Sequence, residues 1–377
     1  MITKPRISSY IYSLLLFFLL SACEDKAPVP DVVKAPGIRS ILDGGNAQQK
    51  TGWWPRTAVD SKGNIHMAYC DVTKGDVRYA RRNDKGWSIE TALHKGAVGK
   101  YIGLAVDKND QPNILFYDQD QKILRFAWQS QPENWQSEQI AWGLEIGMGG
   151  ELVFDANNKA HAFYYITSGQ LIHAQRSAPG EWDKKPLTDA IGSFTVRISV
   201  VLKDDVFWIS YMDWDLRHST LYLGKLDGET FTSEEVARRL SPGWRSHLFF
   251  VDGEPEIIFT QSVKSQIRWA KRTTKGWQSK LICDNSGNFA ATYQPKSKTL
   301  FIAYEEYGSG FRDSNVRLLK HENNQWSHYL IDSKGPAGTY LDLAVKDNND
   351  LVLAYYAEPI RGLRIYEEGI EKQSHGQ

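Results

Sequence analysis

The sequence predicts an all-β ring of seven four-stranded antiparallel blades, a seven-bladed β-propeller, on three observations. A four-part unit recurs about every 47 residues. Each part is short and rich in β-branched and aromatic residues, with Gly, Asn, Asp or Lys between parts, which is how strands and their turns read. The last unit lacks a strand that a segment near the start of the chain can supply. Repetition of four strands at this period is the mark of one blade per unit.

The period is set by an aromatic residue after a turn, at Trp87, Trp135, Trp182, Phe231, Trp277 and Trp326, with gaps of 48, 47, 49, 46 and 49 residues. The first part of each unit is an apolar strand running into a polar turn, as in TAVDSKG (Thr57–Gly63), GLAVDKND (Gly103–Asp110), ELVFDANN (Glu151–Asn158) and DLAVKDNND (Asp342–Asp350). The second is aromatic-rich, as in IHMAYCD (Ile65–Asp71), VFWISYMD (Val206–Asp213) and LVLAYY (Leu351–Tyr356). The third reads VRYAR (Val77–Arg81), LRFAW (Leu124–Trp128), IRWAK (Ile267–Lys271) or LRIYE (Leu363–Glu367), and the fourth follows the aromatic residue. First strands begin near Arg56, Ile102, Glu151, Arg197, His247, Phe289 and Leu341, which makes seven blades.

The seventh unit has its third strand through Tyr366 and no fourth. Ile38–Gly45 (IRSILDGG) matches the fourth-strand pattern, trailing glycine included. Residues 38–43 are therefore expected to be the outer strand of the last blade and to close the ring, which leaves no open seam. Residues 38–377 then make one domain.

Recurrence also sorts side chains. Tyr69, Tyr117, Tyr211, Tyr304 and Tyr355 repeat and are expected in the core. Arg78, Arg125, Arg268, Arg317 and Arg364 repeat in the third strand and are expected to pair or pack at blade boundaries. His66 and His161 share a second-strand position, and a core role outweighs a catalytic one there.

The first residues carry a different signal. Lys4 and Arg6 precede the apolar run Ile11–Leu20, and Leu20-Ser21-Ala22-Cys23 follows. At about 20 residues for a bilayer span, the run is too short to cross, and its order is that of an export signal. LSAC resembles the lipobox of bacterial lipoprotein signals. That resemblance implies cleavage after residue 22 and lipidation of Cys23. The domain then lies outside the cytoplasm, tied to a membrane by the proline-bearing linker 23–37.

Composition narrows the partners. Lys plus Arg and Asp plus Glu number 45 each, so without Lys4 and Arg6 the chain carries two more acids than bases. Nucleic acid, which calls for a basic excess or patch, is not an expected partner. Cys70 and Cys283 are expected to be buried, inert thiols. No Cys/His cluster has metal-ligand spacing, and no cofactor or metal is expected. A monomer is expected.

In a propeller the turns between second and third strands and those between fourth and first strands surround one mouth of the central channel. Residues there that break the repeat are candidate ligand contacts. They are Trp53, Trp54 and Arg56 in blade 1, Tyr101 in blade 2, Glu151 in blade 3 and Arg197 in blade 4. Blades 5 to 7 add Trp244, Arg245, His247, Asn288, Tyr340 and Asp342. The second-to-third turns contribute Asp71, Asp118, Asp213 with Trp214, Arg217 and His218, and the insertion Glu305–Ser314, in which Glu306 is the candidate. Aromatic platforms beside arginine and carboxylate suit a polyhydroxylated, anionic ligand: flat rings stack on sugar faces and charged groups bond hydroxyls or a carboxylate.

The repeat resembles the sialidase-like (BNR-like repeat) bacterial propellers, whose blades carry AVD-x-x-G-x-P-H-x-A-Y-Y-D and L-R-Y-A stretches; the likeness spans residues 38–366. The Asp-box of sialidases is not matched, although NDKGW (Asn83–Trp87) is superficially similar. The resemblance implies that Arg56, Arg197 and Arg245 stand where sialidases cluster arginines. Analogy with seven-bladed polysaccharide lyases implies His247, Tyr101, Tyr340 and Arg245 as the candidate catalytic set. The preferred expectation is a membrane-anchored propeller binding a glycan or protein at the channel mouth. The alternative is a carbohydrate-active enzyme, a lyase or glycosidase.

Overall fold

The computed structural model describes residues 30–369, apart from 47, 95, 97, 190–196, 214–218, 240 and 309–312. Among the described residues seven antiparallel sheets form the expected blades. Blade 1 runs Thr51–Val59, Ile65–Asp71, Asp76–Asn83 and Gly86–His94 from the centre outward, and the next five blades repeat that order.

Ring closure follows the sequence reading. Ile38–Asp43 pairs antiparallel with Gly362–Glu368 as the outer strand of blade 7. Its last residue then ties blade 7 to blade 1, because Asp43 accepts hydrogen bonds from the Tyr69 hydroxyl at 2.7 Å and from Arg78 at 3.3 Å. One element was not legible in the sequence. Val33–Lys34 pairs parallel with Tyr329–Leu330 and gives blade 6 a fifth strand, so the end of the expected tether is laid along the ring.

Blades stack face to face, so the apolar core lies between them in seven layers. Second strands are buried on both faces, as in Ile65–Asp71, Pro112–Asp118 and Leu351–Ala357, which is why they read as continuous rather than alternating apolar runs. At the closure, Ile65, Met67 and Tyr69 pack on Val352, Leu363 and Ile365 of blade 7. The five recurrent tyrosines are all buried. Three of the period-setting tryptophans reach back one blade. Trp87 donates to Glu367, Trp135 to Glu90 and Trp182 to Glu138. Of the recurrent arginines, Arg78 and Arg364 bind carboxylates across a blade boundary, Asp43 and Asp332, whereas Arg125 and Arg317 bind Asp118 and Glu306 of their own blades. Cys70 and Cys283 are free and buried, and burial pushes the Cys70 thiol up to about 12.

First strands start a few residues earlier than expected in most blades, at Thr51, Val98, Met148, Pro242, Ser286 and Ala337. The cause is a bulge at each entrance, where the register with the second strand slips. Gly52, Gly99, Gly147, Gly243 and Gly338 stand at one repeat position with φ between 83° and 99°. A side chain at Gly52 would sit 2.7 Å from Leu363 Cβ. Glycine is thus required there twice over, by conformation and by space.

Candidate functional site

The bulge delivers one side chain per blade to the channel mouth. Strand pairing sets Arg56 opposite Ala68, Gly103 opposite Leu115, Glu151 opposite Phe163 and Ser199 opposite Ser210. In the remaining blades His247 faces Ile258, Ala290 faces Ala303 and Asp342 faces Ala354. These seven residues form one ring around the channel. Two positions earlier, nearer the mouth, the equivalent ring is Trp54, Tyr101, Gly149, Arg197, Arg245, Asn288 and Tyr340. Gly149, Arg197 and Arg245 bridge one another directly through parallel backbone pairs.

Six of the seven mouth-ring residues line a pocket of about 210 Å³, joined by Arg56, Trp244 and Met148 among others. Its aromatic wall is continuous. Trp54 lies 5.3 Å from Tyr340 and 6.4 Å from Tyr101, ring centre to ring centre. Trp54 and Tyr101 hold left-handed backbone, φ 51° and 56°, at the position where blade 3 has Gly149. Backbone strain of about 1–3 kcal/mol at such residues is a common companion of binding sites. The Tyr101 hydroxyl donates to Glu145 at 2.7 Å, which fixes the ring.

Beneath the aromatic wall lies an unequal charge cluster. Arg197 donates to Asp342 at 2.9 Å and to Glu151 at 3.3 Å, and Arg56 is 3.8 Å from Glu151. Asp342 also accepts from the Thr57 backbone N–H at 2.7 Å and hydroxyl at 2.9 Å. Although burial opposes ionisation, Arg197 and Arg56 hold the Asp342 carboxyl below its ordinary range. Arg56 and Arg197 thus share Glu151 and Asp342 at ion-pair distance, whereas Arg245 feels Asp342 and Glu305 only at longer range. It is 7% exposed, and its Nε has no hydrogen-bond partner. Among the described residues no carboxylate forms an ion pair with it. Burial, followed by Arg197 and Arg56, pulls its pKa down to about 9. A buried, charged and unpaired guanidinium is costly, and a ligand anion would offset that cost.

The sequence candidates fall into three groups. Trp54, Arg56, Tyr101, Arg197, Trp244, Arg245 and Tyr340 line the pocket, and Asp342 with Glu151 sits directly under it. Trp53 does not line it. It packs behind Tyr340, 5.0 Å away, and belongs to the layer between blades 1 and 2. His247 lies one ring deeper than Arg245, outside the pocket lining. Burial and then Arg197 depress it to about 4, so it is neutral at pH 7, and it makes no hydrogen bond to a Tyr or carboxylate among the described residues.

Glu306 is displaced from the candidate set for a reason of parity. It turns outward to Arg317 and Asn315, whereas its neighbour Glu305 turns inward and is 5% exposed. Glu305 accepts from the Asn288 side chain at 3.0 Å, and burial raises its carboxyl pKa. Successive side chains of a strand face opposite sides, so of the adjacent pair Glu305 and Glu306 only one could turn inward, and the continuous apolar run before them does not say which. Asp213 closes its strand opposite Thr220 and is not among the pocket lining. Asp71 and Asp118 cap turns, accepting from the backbone N–H of Thr73 and Gln121. Trp214, Arg217, His218 and Cys23 lie outside the described residues. No group of three or more His, Cys, Asp or Glu able to hold a metal ion occurs among the described residues.

No family model matches the sequence, and neither does any curated protein. Solved structures do match in shape. A protein of unknown function from Dyadobacter fermentans is 12% identical with a TM-score of 0.53, the match covering 88% of this chain and 99% of that one. A PL25 ulvan lyase solved with -[GlcA(1-4)Rha3S]- bound is 10% identical with a TM-score of 0.60, covering 88% and 96%. The lectin SapL1, in complex with alpha methyl fucoside, is 12% identical with a TM-score of 0.52, covering 77% and 98%. At these identities the likeness is one of fold.

Proposed function

We propose that this propeller binds an anionic glycan at the channel mouth, and that it does so outside the cytoplasm as a lipoprotein anchored through Cys23. The observation that carries the reading is Arg245, a buried arginine that no carboxylate among the described residues pairs with directly, opening onto a pocket walled by Trp54, Tyr101 and Tyr340. A carboxylate or sulfate would pair with the guanidinium in a low-dielectric setting, while the aromatic faces take the apolar face of the sugar ring. The arginine-rich cluster favours anionic over cationic ligands. In support, the similar folds include a lyase bound to a uronate-containing glycan and a lectin bound to a fucoside.

The test is titration calorimetry against a panel of uronate, sialic acid, sulfated and neutral glycans. Binding confined to anionic members and abolished in Arg245→Met supports the reading. Equal binding of neutral members, or binding that survives the substitution, refutes it.

One observation favours a second reading, a carbohydrate-active enzyme. Glu305, held toward its neutral form, stands near Arg245, whose charge pulls its pKa the other way. A neutral carboxylic acid beside an anion-binding arginine can donate a proton. Product analysis after incubation with each bound glycan separates the readings, since the binding module returns its ligand intact.

A further inference from the structure

A second pocket, of about 270 Å³, lies between blades 5 and 6 and shares Trp244 and Arg245 with the first. We propose that the two are adjacent subsites of one groove, so that the ligand is an oligosaccharide gripped along its chain by at least two sugar units. This deepens the anionic-glycan reading and rests on it.

The chemistry of the second pocket differs from that of the first. Its polar lining is hydroxyl and amide: Ser241 at the entrance of blade 5, Ser262 and Gln266 around the second-to-third turn, Ser286 and Asn288 at the entrance of blade 6. Arg245 is the charged member of the lining, and it stands on the wall common to both pockets. Glu305 lies behind this lining with its carboxyl engaged by Asn288. Neutral donors and acceptors of this kind match the hydroxyls of an uncharged sugar, and none of them adds a positive charge for a second anion. Trp244, on the shared wall, is placed to serve rings on both sides.

Size points the same way. Ligand sites usually enclose about 300–1,000 Å³. Each pocket alone, at about 210 and 270 Å³, falls short, whereas the two as one groove reach that range. The groove floor is kept low by Gly287. A Cβ there would stand 2.6 Å from the Tyr307 ring and hydroxyl and 2.7 Å from Glu305 Oε2. The resulting occupant carries its anion at Arg245, with that sugar on the aromatic wall of the channel mouth and a neutral neighbour between blades 5 and 6.

The experiment is calorimetric titration of the mature protein with methyl glycosides of glucuronic and galacturonic acid. Disaccharides joining each to a neutral sugar are titrated in parallel. The disaccharides are expected to bind at least about tenfold more tightly, the worth of one or two net hydrogen bonds. Ser262→Trp, at an exposed position of the second pocket, is expected to erase that gain while the monosaccharide affinity and melting temperature stay put. Gln266→Ala is a smaller cut at the same wall and is expected to lose part of the gain. Equal affinities for mono- and disaccharides, or a gain untouched by both variants, overturn the second subsite alone. Failure of the uronates and of the sialic acid and sulfated members of the panel alike to bind overturns the anionic-glycan reading and the subsite with it.

Discussion

Replacing Arg245 with Met is expected to stabilise the protein and to abolish ligand binding, an outcome that separates a binding arginine from a structural one. Arg245 is 7% exposed, its Nε is unpartnered, and Arg197 and Arg56 add repulsion from the same side. The opposing attraction, from Asp342 and Glu305, acts without direct contact. Removing a buried ion costs nothing in lost pairing here and recovers desolvation of several kcal/mol, less whatever the surrounding water already supplies. Met keeps much of the volume, so little cavity penalty arises. The balance is a gain of about 1–3 kcal/mol. For a domain of this size that is a rise in melting temperature of roughly 1–4 °C, read by scanning calorimetry without ligand. A fall in melting temperature equivalent to more than about 1 kcal/mol would show that Arg245 holds the ring together, and the site argument would lose its foundation.

Asp342→Ala is expected to do the opposite, because it leaves Arg197 and Arg56 facing only Glu151 and strips Thr57 of its acceptor. A loss of about 3–5 kcal/mol by chemical denaturation is anticipated, and a loss under 1 kcal/mol would contradict the charge cluster. Trp54→Ala is expected to weaken glycan binding at least tenfold, about 1.4 kcal/mol, with Arg245 intact; unchanged affinity would remove the aromatic wall from the site. Stability is expected to fall as the pH drops from about 6.5 toward 4. His247 and His173 have folded pKa values depressed to about 4 and about 3, so the unfolded chain binds protons first and gains on the native state. A melting temperature flat across that window would refute it. Deleting residues 38–43 removes the strand paired to Gly362–Glu368 and the Asp43 contacts to Tyr69 and Arg78. At about 1 kcal/mol net per hydrogen bond, the cost is about 5 kcal/mol or more, visible as a lowered denaturation midpoint.

Much of this molecule was written locally. The tryptophans at a near-constant interval, the second strands ending in Tyr, and the orphan strand pattern at Ile38–Asp43 specify seven blades and their closure, because each blade meets the same packing problem and answers it with the same residues. The mouth residues were legible as departures from that repeat, since packing alone does not ask for Trp54, Tyr101, Arg197 or Arg245 at one blade position. What a single strand cannot encode was decided by the tertiary structure. The entrance bulge shifts parity, so sequence alone did not say that Trp54 lines the pocket while its neighbour Trp53 packs behind it on Tyr340 and Tyr356. The same uncertainty of face exchanged Glu306 for Glu305. The two-residue strand Val33–Lys34 has too little pattern to announce itself and exists because blade 6 offers it an edge. Above all, the charge balance at the mouth arises between residues far apart in the chain, Arg197 with Asp342 and Arg56 with Glu151, and only their convergence leaves Arg245 without an ion-pair partner among the described residues.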